Sequence, residues 1–143
     1  MVRLVYRDAI LIDTSAVIAL EDPSDRHHDF AKDFYTSIPG SIQWYSVNVT
    51  AHETYTRVRY NNRSVEHAIE SYDFLRTETV NLLSFGPEDE AKTLELLLRY
   101  DDQKLSFHDV LCASVMLRIG ILKIFTFDKD FHILGFQVVP GIT

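Results

Sequence analysis

Short apolar segments with the composition of buried strands alternate with pairs of helix-like segments along this chain of 143 residues. The apolar segments are residues 9–12, 42–49, 79–84 and 122–127, and a shorter one follows at residues 137–139. Strands separated by helices pair in parallel, and the helices then cover both faces of the sheet. The sequence therefore predicts a βααβααβααβ(β) order in one domain, residues 1–143. This is an α/β fold of three layers, α/β/α, with a central parallel sheet of four to five strands.

Capping residues predict where the helices begin and end. Ser64 and Ser106 precede two helices as N-caps, and Gly120 ends the second of them. A further helix is predicted from about residue 50 to residue 62, and Pro87 opens another. Apolar spacing predicts that the helix after Ser64 faces the core with Val65, Ala68, Ile69, Tyr72 and Leu75. The same argument gives, for the helix that Pro87 opens, a core face of Ala91, Leu94, Leu97 and Leu98.

The charge and the cysteine content limit the classes of function. The formal net charge is −7, whereas a protein that binds nucleic acid usually has a basic surface. A nuclease that holds metal ions resolves this conflict, because the ions neutralise acids at the site.

The single cysteine, Cys112, lies in an apolar stretch and is expected to be a buried thiol in a cytoplasmic protein. Residues 1–15 lack the pattern of a signal peptide, and no apolar run reaches the roughly 18 residues of a membrane span.

Acidic residues stand where the predicted strands end. Asp13 follows the first strand and Asp128 the fourth, while Glu53 and Asp109 lie in the first turns of predicted helices. In open parallel sheets, ligands bind at the carboxyl ends of the strands. These four acids are therefore expected to lie close together at that edge of the sheet. Several carboxylates together require a counter-ion, and Mg²⁺ or Mn²⁺ suits oxygen ligands. Such ions support phosphodiester hydrolysis, so the pattern indicates a metal-dependent site.

Each acid also has a purely structural explanation. Asp13 is a suitable N-cap for the helix that follows it. Residues 50–53 and 106–109 both have the form of a capping box, in which the acid reaches back to a backbone N–H. Asp128 and Asp130 together are typical of a turn. The adjacent pair His27 and His28 diverges on a helix and is not expected to bind a metal.

Four segments, taken together and in order, resemble the PIN-domain family. Residues 10–18 (ILIDTSAVI) resemble the opening of PIN domains, especially those of VapC-type toxins. Residues 105–113 (LSFHDVLCA) resemble the third acidic motif of the family, and residues 125–131 (FTFDKDF) resemble its closing motif. Glu53 stands where the family has a glutamate, early in the helix after the second strand. The resemblance covers nearly the whole chain.

The resemblance implies a Rossmann-like fold and a metal-dependent endoribonuclease that uses Mg²⁺ or Mn²⁺. Asp13, Glu53, Asp109 and Asp128 would be the catalytic acids that bind the metal directly or through water. Thr14 or Ser15, together with Thr126, would orient these ligands by hydrogen bonds. The fourth acid has two candidates: Asp128 is preferred because it follows the strand, and Asp130 also fits the closing motif.

The resemblance further implies partners: an RNA substrate, a small antitoxin protein that covers the acidic groove, and a second copy of the chain in a homodimer. Three basic residues follow Glu53 and are candidates to face an RNA backbone: Arg57, Arg59 and Arg63. The alternative for the first of them is an ion pair with Glu53 one helical turn away. Trp44 is suited to stack on bases, but its place on a predicted strand favours core packing.

Three other functions compete with the toxin prediction. A PIN-like RNA-binding or scaffold domain without catalysis is opposed by the four acids, because such a domain has no need to hold like charges together. A housekeeping PIN nuclease that processes RNA fits the same residues as a toxin. Phosphotransfer proteins fit poorly, since Ser15 occupies the place of the second aspartate of haloacid-dehalogenase-like phosphatases, and Ile12-Asp13 offers one acid where a receiver domain has a pair.

Overall fold

The computed structural model describes residues 8–141, and it contains one parallel sheet of five strands. The expectation about a signal peptide concerns residues 1–15, of which residues 1–7 lie outside this range. The strands, numbered β1 to β5, are Ala9–Ile12, Gln43–Val47, Val80–Leu83, Lys123–Phe125 and Gln137–Val139. Their order across the sheet is β3-β2-β1-β4-β5, with every neighbouring pair parallel. The predicted fold class is confirmed, and the short last segment forms the fifth strand.

Seven helices connect the strands within the described residues. They are α1 (Thr14–Glu21), α2 (His28–Ser37), α3 (Asn48–Tyr60), α4 (Val65–Phe74), α5 (Pro87–Arg99), α6 (Phe107–Ile119) and the single turn α7 (Asp130–Ile133). The element order matches the prediction. None of the helices within residues 8–141 has the length and apolar character needed to cross a membrane.

Strand β1 lies at the centre of the sheet and is buried on both faces. Because side chains alternate along a strand, Leu11 packs with α6, while Ile10 and Ile12 pack with the layer that contains α1 and α2. All three side chains are at most 2% exposed. Burial of each stabilises the fold by roughly 1.5 to 3 kcal/mol. Because both faces of β1 pack into the core, the end of the strand at Ile12 is fixed, and so is the position of Asp13 directly after it.

The caps agree with the prediction for two helices. The Ser64 hydroxyl accepts the N–H of His67 at the start of α4. Gly120 ends α6 with φ of 99°, a left-handed conformation that favours glycine. Helix α3, however, begins at Asn48, two residues earlier than predicted.

The predicted core face of α5 is wrong. Leu94 and Leu98 are 55% and 76% exposed, Ala91 is exposed too, and Leu97 is only partly buried. The helix instead buries Asp89, Thr93 and Leu96. Polar contacts with α6 decide this orientation. Asp89 pairs with Arg118 of α6, and Thr93 is hydrogen-bonded to Ser114 of the same helix.

The predicted face of α4 is wrong in part. Ala68 and Leu75 are buried as predicted, but Val65 and Ile69 are 41% and 46% exposed. The small side chain of Ser71 is buried instead.

Candidate functional site

Asp13 lies at the carboxyl end of β1 and is 1% exposed. Its Oδ2 accepts a hydrogen bond from Thr126 Oγ1 at 2.9 Å. Its Oδ1 is buried and has no hydrogen-bond partner among the described residues. The side chain makes no cap bond to α1, so the interpretation of Asp13 as a capping side chain is wrong. A buried carboxylate oxygen without a partner is costly, which indicates a ligand at this position.

Thr126, directly after β4, connects Asp13 to two neighbouring groups. It accepts the N–H of Asp128 at 3.0 Å and lies 3.0 Å from Ser15 Oγ. Because its single proton goes to Asp13, the hydroxyl of Ser15 is the donor in that contact. Thr14 bonds to Thr54 instead, at 3.2 Å. The structure thus joins Thr126 and Ser15 to the acid, while the hydroxyl of Thr14 is bonded elsewhere.

Asp128 and Asp130 lie beyond β4 and share a turn. The strand ends at Phe125, so Asp128 does not follow it directly as the sequence suggested. Asp128 Oδ1 accepts the N–H of Asp130 at 3.0 Å, which forms the turn that leads into α7. Each of the two, together with Asp109, offers an oxygen, and the three oxygens lie within 4.8 Å of one another. Both candidates for the fourth acid therefore lie in the same cluster.

Asp109 is carried into the cluster by the first turn of α6. Its N–H donates to Ser106 Oγ at 3.0 Å, which confirms Ser106 as the N-cap. Its carboxylate is nearly buried and also forms a second set with Asp13 and His108, again within 4.8 Å. Asp109 is therefore common to both groups of potential ligands.

His108 joins Glu53 to the cluster. Its Nδ1 lies 3.1 Å from Glu53 Oε2 and 3.2 Å from Asp109 Oδ1, and its Nε2 lies 2.9 Å from Thr50 Oγ1. Since α3 begins at Asn48, Glu53 lies in the second turn, and the capping box predicted for residues 50–53 is wrong. Sequence reasoning missed His108 and Thr50. The available signal was the position of His108 beside Asp109, in the first turn of a helix that reaches the acidic end of the sheet.

The electrostatics of the cluster favour a cation. Burial raises the pKa of Asp13, and burial together with the charges of Asp13 and Asp128 raises the pKa of Asp109. Burial also raises the pKa of Asp130, with a further contribution from Asp128. Burial opposes a charged His108, but hydrogen bonds to Asp109 and Cys112 and the charge of Asp13 outweigh it and raise the pKa of the imidazole.

One imidazolium cannot balance five carboxylates. The unpartnered Oδ1 of Asp13 and the mainly oxygen donor set fit a divalent cation such as Mg²⁺ or Mn²⁺. The other histidines considered from the sequence are engaged elsewhere. His27 stacks on Phe127, and His28 Nδ1 lies 2.7 Å from the carbonyl oxygen of Ala19.

The three predicted RNA-binding arginines differ in their surroundings. Arg57 Nη1 lies 3.7 Å from Glu53 Oε1, so the alternative ion pair is present. Arg63 binds the carboxylate of Asp22 at 2.8 Å, and Arg59 donates to the carbonyl oxygen of Arg63. A role in RNA binding stays a prediction for these residues. Trp44 is 8% exposed and packs in the core, as favoured from the sequence.

Comparison with known proteins places this geometry in a family. The PIN domain family model matches residues 10–137. The 23S rRNA-specific endonuclease VapC20 of Mycobacterium tuberculosis is 32% identical over 131 residues, which cover 91% of this chain and 97% of the relative. The crystal structure of M. tuberculosis VapC20, described as a sarcin-ricin loop cleaving toxin, superposes with a TM-score of 0.80 at 29% identity, covering 89% of this chain and 95% of that one.

A more distant match shows the fold alone. It is VapBC2 from Rickettsia felis, with a TM-score of 0.68 at 13% identity, covering 91% of this chain and 96% of that chain. The family model and the VapC20 relative both extend over most of the sequence and include the strands and helices that carry the acidic cluster. The chain therefore belongs to the PIN-domain family.

Proposed function

We propose that this chain is an endoribonuclease of the VapC type that depends on a divalent cation and acts as the toxin of a toxin–antitoxin pair. The observation that carries the proposal is the buried acidic cluster around Asp13, with one carboxylate oxygen left without a partner. Relatedness to VapC20, a 23S rRNA-specific endonuclease, supports RNA as the substrate and ribosomal RNA as the first target to test.

Within this proposal, the residues have distinct tasks. Asp13, Asp109 and Asp128, with Asp130 beside them, hold Mg²⁺ or Mn²⁺. A bound divalent cation supplies activation of water and neutralisation of the phosphate charge. Thr126 fixes the orientation of Asp13, and Ser15 in turn fixes Thr126.

His108 acts as the positioning residue for Glu53. Its ring is held by Thr50 on one side and donates toward the carboxylate on the other. Glu53 keeps a side chain that is 25% exposed, so its carboxylate can reach a substrate or its water. Attack by water requires no nucleophile from the protein.

We further propose that a small antitoxin protein covers the acidic groove and that the toxin works as a homodimer in the cytoplasm. The fold is shared with chains solved in toxin–antitoxin complexes, among them one from Klebsiella pneumoniae with a TM-score of 0.61 at 18% identity. The only cysteine, Cys112, is buried, which agrees with a reducing compartment.

The experiment is cleavage of ribosomal RNA and of an unrelated structured RNA by the purified, antitoxin-free chain. Reactions contain Mg²⁺, Mn²⁺ or EDTA, and the variants are Asp13→Asn and the exposed Asp33→Asn on α2 as a charge-matched control. We expect cutting that EDTA and Asp13→Asn abolish and that Asp33→Asn retains.

Cutting of both RNAs alike would favour a less selective nuclease that processes RNA. Folded protein that binds a divalent cation but cuts neither RNA under any condition would contradict the proposal. That result would favour the PIN-like scaffold or RNA-binding alternative.

A further inference from the structure

We propose that a cleft next to the acidic cluster binds one unpaired nucleotide of the RNA beside the cleaved bond, an inference that rests on the proposed function. The cleft has a volume of about 150 Å³ and is lined chiefly by Arg26, His27, Thr126, Phe127, Asp128 and Lys129. Two of these residues, Thr126 and Asp128, also belong to the cluster. A ligand in the cleft therefore lies directly against the proposed catalytic acids.

The cleft contains two cations without ion-pair partners. Within residues 8–141, neither Arg26 nor Lys129 forms a salt bridge, although the chain carries a net charge of −7. Arg26 is nevertheless oriented, because its Nε donates to His27 Nε2 at 3.2 Å. This leaves the terminal N–H groups of the guanidinium available for an external anion. Two unpaired cations beside an acidic site are suited to the phosphates that flank the cleaved one.

One wall of the cleft is a flat aromatic stack. The rings of His27 and Phe127 are parallel within 1°, with centroids 4.4 Å apart, and both are only partly buried. Nucleic-acid bases stack on such rings whatever their identity. A nucleotide offers both a flat face and a negative charge, so it complements the stack and the two cations together.

The stack is also fixed relative to the cluster. The N–H of Phe127 donates to Ser15 Oγ at 2.9 Å, and Ser15 bonds to Thr126, the partner of Asp13. Three hydrogen bonds thus connect the base-binding wall to the buried acid. This link allows a base seated on the stack to set which phosphate reaches the acids.

A second cleft shares Arg26 and both rings of the stack with the first cleft and extends the surface. Its volume is about 210 Å³, and its lining includes Ser15, Arg26, His27, Arg57 and Asn61. Because both clefts are lined by the stack, an unpaired RNA strand that follows the two clefts would contact Arg57 in one and Lys129 in the other. Of the arginines predicted from the sequence, this surface includes Arg57, which lies 3.7 Å from Glu53 Oε1, whereas Arg63 is bound to Asp22 at 2.8 Å.

The test is binding of an end-labelled, single-stranded RNA of mixed sequence, measured by fluorescence anisotropy in EDTA so that no cleavage occurs. In Arg26→Gln/Lys129→Gln, we expect the slope of log affinity against log salt to fall by about 1.4, since each lost phosphate contact on a single strand removes about 0.7. In His27→Leu, we expect binding roughly 5- to 100-fold weaker with the slope unchanged.

Arg76→Gln is the matched control, because its guanidinium lies 5.7 Å from the ring centre of Tyr72 on α4, away from the cleft. Circular dichroism and the unfolding midpoint verify that each variant is folded. Wild-type affinity and slope in the folded cleft variants would overturn the inference, as would absence of RNA binding by the wild type. Binding in EDTA and cutting with metal are separate measurements, so RNA that binds through the cleft but is never cut would sink the proposed function alone.

Discussion

The buried carboxylates of Asp13 and Asp109 make the stability of the metal-free site depend on pH. The pKa of Asp109 is raised from 3.8 to about 7, first by burial and then by the charges of Asp13 and Asp128. A group with a raised folded-state pKa contributes stability that is fully present below its unfolded pKa and is lost as pH rises through its folded pKa. Asp13 and His108, both with raised pKa values, act in the same direction.

The metal-free chain is therefore expected to unfold at a lower temperature at pH 8 than at pH 5.5. Mn²⁺ or Mg²⁺ should raise the midpoint more at pH 8, because the ion requires ionised carboxylates. In Asp109→Asn the dependence on pH should flatten and the metal effect should shrink, while Asp33→Asn should behave as the wild type. Differential scanning fluorimetry across this range measures both. A metal-induced shift that is equal at the two pH values would count against the cluster as the binding site.

At the scale of single residues, the position of Asp13 could be predicted from the sequence, because the apolar run of residues 9–12 fixes where β1 ends. The predictions for Asp128 and Glu53 were less accurate, since β4 ends at Phe125 and α3 begins at Asn48. The contact between His108 and Glu53 could not be predicted from the sequence. It depends on α3 beginning at Asn48, which carries Thr50 into the helix and places it against the imidazole. The pattern of residues 50–53 favours a local cap, and only the packing of α3 against its neighbours decides otherwise.

Among the elements, strands were predicted well and helix faces less well. Strand β1 is buried throughout and β4 nearly so, and the partly exposed strands β2, β3 and β5 still carry apolar residues that mark them as strands. Helix α5 has two competing signals: leucines at helical spacing, and a buried polar link to α6 that sequence periodicity does not detect. Asp89 accepts hydrogen bonds from Arg118 Nε at 2.8 Å, from Arg118 Nη2 at 3.0 Å and from the N–H of Gly86 at 3.0 Å.

Replacement of Asp89 by Asn is expected to lower the free energy of unfolding by roughly 2 to 3 kcal/mol, less than a fully buried pair would lose because Arg118 is partly exposed. Glu88→Gln is the control in the same turn. Its side chain is 78% exposed and lies 3.8 Å from Arg118, so a change below about 0.5 kcal/mol is expected. Urea unfolding followed by circular dichroism measures both. Equal effects of the two substitutions would mean that the buried link does not orient α5.

For the whole molecule, the leucines that α5 leaves exposed are a candidate surface for the homodimer proposed above. Ala91, Leu94 and Leu98 recur at helical spacing and form an apolar stripe on the solvent side of α5. The sequence predicted their burial, and a homodimer that packs on this stripe would provide it. A symmetric interface suits the stripe, because the same apolar patch then serves both copies. Stable association requires roughly 800 Å² from each partner, so residues beyond the stripe must join the interface.

The homodimer proposal therefore predicts that Leu94→Ser/Leu98→Ser converts a dimer to a monomer in light scattering coupled to size-exclusion chromatography. Within one copy these side chains are largely exposed, so circular dichroism should change little. Leu122→Ser is the control, since Leu122 is 66% exposed but lies before β4, outside α5. Its expected result is an unchanged dimer. A wild-type monomer at all concentrations would refute the homodimer, whereas a dimer that survives the double substitution would place its interface on another surface.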